Sequence, residues 1–293
     1  MMCYYKSYNE QIAMNGVNVM GAKIGFIGTG NMGSAIVRGV VRSGTASPED
    51  VYLFDTDTGK AEALAKETGA VVTSDSVELV NICRYIVLAV KPVYAGQVLN
   101  KIKDCFTEDK VLVSIAAGIS MDTLRSHLGS DRKVVRTMPN LPLMVGEGMT
   151  LISFDDNISE EEKSFVKSIF EGAGKAEELE ERLMNEVTSL TGSSPAYVFI
   201  LIEAMADGAV QQGIPRKLAY RLAAQAVLGS AKMVLETGLH PAELKDQVCS
   251  PAGTTIEAVK VLEKNGFRYS IMEAMSECTA KAFKLGTGRE AGR

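Results

Sequence analysis

The sequence predicts a doubly wound α/β domain followed by an all-α domain. Three observations carry this. From Lys23 to Asn140, short apolar runs alternate with amphipathic segments of about 10–15 residues, the mark of a parallel sheet with helical crossovers. A glycine-rich turn joins the first apolar run to the first amphipathic segment. Beyond Arg182, strand-like runs all but vanish and Ala- and Met-rich segments of helical period take over.

The elements follow in order. KIGFI, Lys23–Ile27, is the first strand. GTGNMGSAIVRGVVRSG, Gly28–Gly44, opens on glycines and then places Ile36, Val37, Val40 and Val41 on one helical face. VYLFD, Val51–Asp55, is the second strand, and TGKAEALAKETG is a helix that ends at Gly69. YIVLAV, Tyr85–Val90, is apolar throughout, as in a strand buried on both faces. Lys91-Pro92 then opens a helix that runs through Lys103. KVLVSIAAG, Lys110–Gly118, and KVVRTMPN, Lys133–Asn140, are further strands. Ser159 and the acids after it start a charged amphipathic helix. In the second half, Ser194 reads as an N-cap with Pro195 in the first turn of a helix reaching about Gly213. Helices from Pro215 to Gly238, after His240-Pro241, from Gly253 to Asn265 and from Phe267 to Leu285 complete it. The expected domains are 23–182 and 183–293. Residues 1–22 read as a disordered extension or the product of a misplaced start codon, since Met14 and Met20 are alternative starts. Apolar residues on more than one face of the later helices predict burial against a second copy of the chain.

Composition excludes several classes of function. A hydrophobic fraction of 46% with 23% charged residues describes a soluble globular chain. The net charge of -5 supplies no basic field for nucleic acid. No apolar run reaches the roughly 18–20 residues that span a bilayer. Five dispersed cysteines without a CxxC predict reduced thiols and a cytoplasmic location. With two histidines, neither at ligand spacing, a metal site or a His-based triad is not expected.

Gly28-Thr29-Gly30-Asn31-Met32-Gly33 matches GxGxxG between a strand and a helix. The first glycine permits the turn, the second lets backbone approach a pyrophosphate, and the third lets helix and strand pack closely. This predicts a bound dinucleotide and a Rossmann-like domain; the alternative is a tight turn with no ligand. Asp55, at the end of the second strand, is placed to hold the adenosine ribose hydroxyls. It follows the first glycine at more than the usual ~20 residues because of the insert GTASPED. An acid there favours NADH over NADPH; the alternative is a turn aspartate. Lys91 is either a catalytic or phosphate-contacting residue or a plain helix-start lysine.

The motifs IGFIGTGNMG, LAVKP, VSIAAG, RTMPN, TGSSPAYVF and LKDQVCSPAGTTIEAVKVLE together resemble the pyrroline-5-carboxylate reductase family, over nearly all of Lys23 to Leu285. The resemblance implies reduction of 1-pyrroline-5-carboxylate to L-proline by NADPH or NADH, the last step of proline biosynthesis. It implies a helical dimerisation domain, with homodimers that join into larger rings, and no metal. Cofactor contacts fall on Ile27, Gly28, Thr29, Gly30, Asn31, Met32 and Gly33, on Ala89, Val90, Lys91 and Pro92, and on Ala117. Ser76 and Gln247 stand at further cofactor-side positions where relatives differ. The substrate loop falls on Val248, Gly253, Thr254 and Thr255, with the Thr255 hydroxyl at the ring nitrogen, and Glu181 stands at a substrate-side position. Two departures concern the backbone and the loop after RTMPN: Ala252 replaces the first glycine of SPGGTT, and Leu141 replaces a threonine.

The same stretch read without the resemblance favours a simple helix start capped by Ser250 or Thr254. Imine reduction needs no covalent nucleophile, so Cys249 is expected to be a small buried packing residue, and Tyr197 core rather than proton donor. Two rivals remain. A β-hydroxyacid dehydrogenase would carry a glycine–lysine–asparagine cluster after Leu183, which is absent from the sequence. A non-catalytic dinucleotide-binding protein would bind NAD(P)H without oxidising it.

Overall fold

The alternation of apolar runs builds an open sheet of eight strands in the order β3-β2-β1-β4-β5-β6-β7-β8. The structure is a computed structural model that describes residues 21–286; residues 1–20 of the expected extension lie outside them. The strands are β1 (Ile24–Ile27), β2 (Val51–Phe54), β3 (Val71–Val72), β4 (Tyr85–Leu88), β5 (Val111–Ser114), β6 (Lys133–Met138), β7 (Gly148–Phe154) and β8 (Gly174–Glu178). All pairings are parallel except β6 with β7. The expectation of a parallel sheet therefore holds only as far as β6. Between β6 and β7 lies a 3-10 turn, Leu141–Val145, and so short a link leaves no room for the crossover helix that a parallel return requires.

Helices α1 (Asn31–Ser43), α2 (Thr58–Thr68) and α6 (Glu160–Glu171) cover one face of this sheet, and α3 (Ser76–Ile82), α4 (Pro92–Ile102) and α5 (Met121–Leu128) cover the other. Along β4, Tyr85 and Val87 enter the first core while Ile86 and Leu88 enter the second, which is why the run is apolar at every position. The α6 start is a capping box in which the Ser159 hydroxyl accepts from the Glu162 N–H and the Glu162 carboxylate accepts from the Ser159 N–H. That carboxylate, only 2% exposed, also takes Arg84 at 2.8 Å and Lys133 at 2.7 Å. One side chain thereby ties α6 to the starts of β4 and β6.

The chain divides into two compact units. One runs to Thr188 and takes in the residues from Ala282; the other is Ser189–Lys281. The second unit is built from α7 (Ser194–Gln211), α8 (Arg216–Thr237), α9 (Pro241–Val248), α10 (Thr254–Lys264) and most of α11 (Phe267–Gly286). Ser194 is the first helical residue of α7 rather than its cap, a place held by Ser193 without a side-chain bond. The only buried apolar residues described in this unit are three alanines, Ala206, Ala219 and Ala223. Large side chains lie open instead, among them Leu235 at 83% and Ile200 at 65% exposure.

Candidate active site

The glycine-rich turn starts where β1 ends, and each glycine has a separate reason to be there. Gly28 has φ +106, and a Cβ on it would lie 2.5 Å from the Ala89 carbonyl oxygen. A Cβ on Gly33 would lie 2.4 Å from the Gly28 carbonyl oxygen. Both glycines are required by packing alone. Gly30 is different: a Cβ there would meet nothing within 4 Å, and its φ of -66° suits any residue. Packing among the described residues does not call for a glycine at position 30, and its bare backbone leaves room for the close approach of a ligand. Gly30 is also the N-cap of α1 and provides no side-chain cap, so the first N–H groups of the helix remain open to an anion.

The other predicted cofactor residues of this unit gather at the same end of the sheet. Ile27 closes β1 and its carbonyl accepts from the Ala89 N–H at 2.8 Å. Ala89 and Val90 follow β4, and Lys91 and Pro92 form the exposed start of α4. Ala117 lies exposed in the turn after β5. These are the C-terminal ends of β1, β4 and β5, where open α/β sheets bind their ligands.

Asp55 lies at the end of β2, but its carboxylate turns toward the glycine-rich turn. Its Oδ2 accepts from the Thr29 N–H at 2.6 Å and from the Thr29 hydroxyl at 3.0 Å, and its Oδ1 accepts from the Asp57 N–H at 2.9 Å. Burial pushes the Asp55 carboxyl up, but the bonds from Thr29 and Asp57 outweigh it and hold it below its usual range. The Asp55–Thr29 contact escaped the sequence reading because its partners are 26 residues apart. Asp57 is exposed and pairs with Lys60 at 3.0 Å.

Two expected site residues are engaged within the protein. Ser76, the first residue of α3, is 2% exposed, and its neighbour Asp75 takes the N-cap position. Glu181 accepts from the Met121 N–H at 2.7 Å, at the start of α5, and pairs with Arg136 at 3.2 Å. Arg136 in turn donates to Asn185 at 3.0 Å. As placed, the Glu181 carboxylate holds protein groups of its own unit.

In the helical unit, Gln247 and Val248 end α9 and are exposed, and α10 begins at Thr254 with Gly253 as its N-cap and no side-chain cap. Neither Ser250 nor Thr254 caps the helix, contrary to the simpler reading of the stretch. The Gly253 N–H is bonded to the Ser250 carbonyl at 3.0 Å. The open donors at this helix start are therefore those of Thr254, Thr255 and Ile256. A Cβ on Gly253 would lie 2.3 Å from the Ser250 hydroxyl oxygen, which would have to rotate away, and 3.1 Å from the Ser250 carbonyl oxygen. Ala252 has φ 57, the one positive φ of a non-glycine residue described.

Cys249 is half-buried, not buried as expected. The four described cysteines are free thiols, and burial pushes Cys83 up to about 12. The Tyr197 hydroxyl is buried and makes no hydrogen bond of ordinary geometry. Burial, followed by the neighbouring Cys278, raises its pKa, which leaves Tyr197 a protonated phenol.

Comparison with known proteins agrees with both halves of this description. Residues 181–285 match the family model described as pyrroline-5-carboxylate reductase dimerisation, and residues 23–118 match that of NADP oxidoreductase coenzyme F420-dependent. The pyrroline-5-carboxylate reductase of Escherichia coli K12 is 48% identical over 91% of this chain and 99% of its own. That of Methanosarcina acetivorans is 43% identical over 90% and 98%. Among solved structures, a pyrroline-5-carboxylate reductase from Coxiella burnetii superposes with TM-score 0.86 at 31% identity, over 90% of this chain and 98% of that one. The Plasmodium falciparum pyrroline carboxylate reductase, solved with NADP bound, gives 0.82 at 35% identity over 91% and 99%. The chain belongs to the pyrroline-5-carboxylate reductase family.

Proposed function

We propose that this chain reduces the C=N bond of 1-pyrroline-5-carboxylate to give L-proline, using a nicotinamide dinucleotide held at the glycine-rich turn. The observation that carries the substrate reading is the start of α10, where an uncapped helix end stands beside the Thr255 hydroxyl. The N–H groups of Thr254, Thr255 and Ile256 suit a small carboxylate. The Thr255 hydroxyl, which has no partner among the described residues, is a donor for the ring nitrogen. For the dinucleotide, the residues present fit: Gly30 leaves room for the pyrophosphate, and the N–H groups that open α1 receive its charge. When bound, the cofactor supplies the hydride. The chain's own part is to fix the carboxylate, align the ring and hold a proton donor at nitrogen. Both NADH and NADPH are admitted by this reading.

Self-association belongs to the same proposal. A unit whose buried apolar residues are three alanines gains its core by pairing with another copy.

The test is the initial rate with 1-pyrroline-5-carboxylate and each cofactor. Thr255→Ala should slow turnover about 10- to 100-fold, as expected for losing a hydrogen bond made in the transition state. Cys249→Ser should keep most activity. A folded Cys249→Ser protein that is dead, beside a silent Thr255→Ala, would make the thiol the reactive group and overturn this assignment.

A further inference from the structure

The group that distinguishes cofactors with and without a 2′-phosphate need not be the acid nearest the end of β2. In doubly wound sheets the adenosine ribose lies at that strand end. Here the segment after β2 reads Asp55-Thr56-Asp57-Thr58-Gly59-Lys60, two carboxylates and one ammonium. A carboxylate accepts at about four lone-pair positions. Asp55 has committed three of them, to the Thr29 N–H, the Thr29 hydroxyl and the Asp57 N–H. It lacks the free pair of acceptors that a ribose diol takes from an acid in bidentate fashion. Its partner Thr29 is 4% exposed, so the contact is built into the turn.

Asp57 is placed the other way. It is the N-cap residue of α2, yet its side chain makes no capping bond. Among the described residues its carboxylate meets only Lys60, at 3.0 Å, and both side chains are more than half exposed. An exposed ion pair of this kind contributes little and opens readily. Once open, it offers two different faces: a carboxylate with free acceptors, and an ammonium at the same strand end.

We propose that the Asp57–Lys60 pair sets the choice between NADH and NADPH, while Asp55 positions the glycine-rich turn through Thr29. With a ribose diol, Asp57 accepts from the hydroxyls and Lys60 stays beside it. With a 2′-phosphate, Lys60 leaves Asp57 and pairs with the phosphate, a point-charge contact that lysine suits. This rests on the dinucleotide being held at the turn, as proposed above.

The experiment is equilibrium binding of NADH and NADPH to each variant, read by nucleotide fluorescence, beside steady-state kinetics with each cofactor at fixed 1-pyrroline-5-carboxylate; the NADH-to-NADPH ratio of dissociation constants should move with the NADPH-to-NADH ratio of kcat/KM. Lys60→Ala should lower the NADPH-to-NADH ratio of kcat/KM by about tenfold, the loss expected for a hydrogen bond to a charged group, and Lys60→Arg should restore it. Asp57→Ala should raise the same ratio. Asp55→Ala should raise KM for both cofactors by a common factor with kcat at saturation little changed, and Asp55→Asn, whose carbonyl still accepts from Thr29, should recover part of that loss. An Asp55→Ala variant that inverts the ratio while the Lys60 and Asp57 variants leave it unmoved overturns the inference and leaves the dinucleotide reading standing. A wild-type chain that neither binds nor oxidises either cofactor, by nucleotide fluorescence and by turnover, overturns the reading of the turn itself.

Discussion

Ala252 holds a left-handed conformation, φ 57, that an L-residue other than glycine, asparagine or aspartate rarely takes. The strain is about 1–2 kcal/mol. Ala252→Gly removes it but gives the unfolded chain more freedom, which costs about 0.4–1 kcal/mol. The net expectation is a protein more stable by up to about 1.5 kcal/mol, read from the midpoint of urea unfolding. Ala252→Val should be destabilising, because a β-branched side chain tolerates positive φ worse still. The glycines of the turn allow a cleaner separation. Gly33→Ala forces a Cβ to 2.4 Å from backbone oxygen and should lower thermal stability. Gly30→Ala meets nothing, so its stability should match that of the wild type while its KM for cofactor rises at least severalfold. Equal effects of the two substitutions on stability would remove the argument that Gly30 serves a ligand.

At the scale of elements, Glu162 shows how one buried charge organises a helix. Its carboxylate ends the α6 capping box and meets Arg84 and Lys133. Burial pushes its pKa up, but Lys133, the Ser159 N–H and Arg84 together bring it below the usual carboxylate range. A depressed carboxyl contributes stability that is complete above its unfolded pKa, about 4.3, and is lost as pH falls through its folded value. Glu162→Gln should therefore cost about 3 kcal/mol at neutral pH, the low end for a broken buried pair because Arg84 and Lys133 still reach water. It should also flatten the loss of stability below pH ~4, measured by urea unfolding across that range. The Ser159 cap was legible in the sequence; the two cations were not, since they come from strands far along the chain. Strands divide the same way. β1, β2, β4, β5 and β6 announce themselves as apolar runs. β8 reads GKAEE, β3 is two residues long, and β7 mixes glycine, threonine and serine with apolar residues, so their pairing rather than their composition makes them strands.

For the whole molecule, the sequence showed the change from α/β to helix near residue 182, while the compact units divide after Thr188. The local motifs of the site were readable because glycine turns and helix starts are local chemistry. The inward turn of Asp55, the burial of Ser76 and the bonds of Glu181 to Met121 and Arg136 were not, because each depends on a neighbour brought in by the sheet. The exposed apolar residues of the helical unit set the prediction at this scale: sedimentation at micromolar concentration should show a dimer or a larger closed assembly, and a monomer would refute it.

That unit also bears on how the chain tolerates change. Its buried apolar residues, among those described, are Ala206, Ala219 and Ala223; in the self-association proposed above, its remaining apolar side chains would find their neighbours across a boundary between identical subunits. In a twofold pairing, each altered residue is present on both sides. A substitution worth about 1 kcal/mol in an ordinary core then counts twice in the association energy, and dilution becomes a denaturant. Variation that is harmless at high abundance in the cell would be exposed when expression falls.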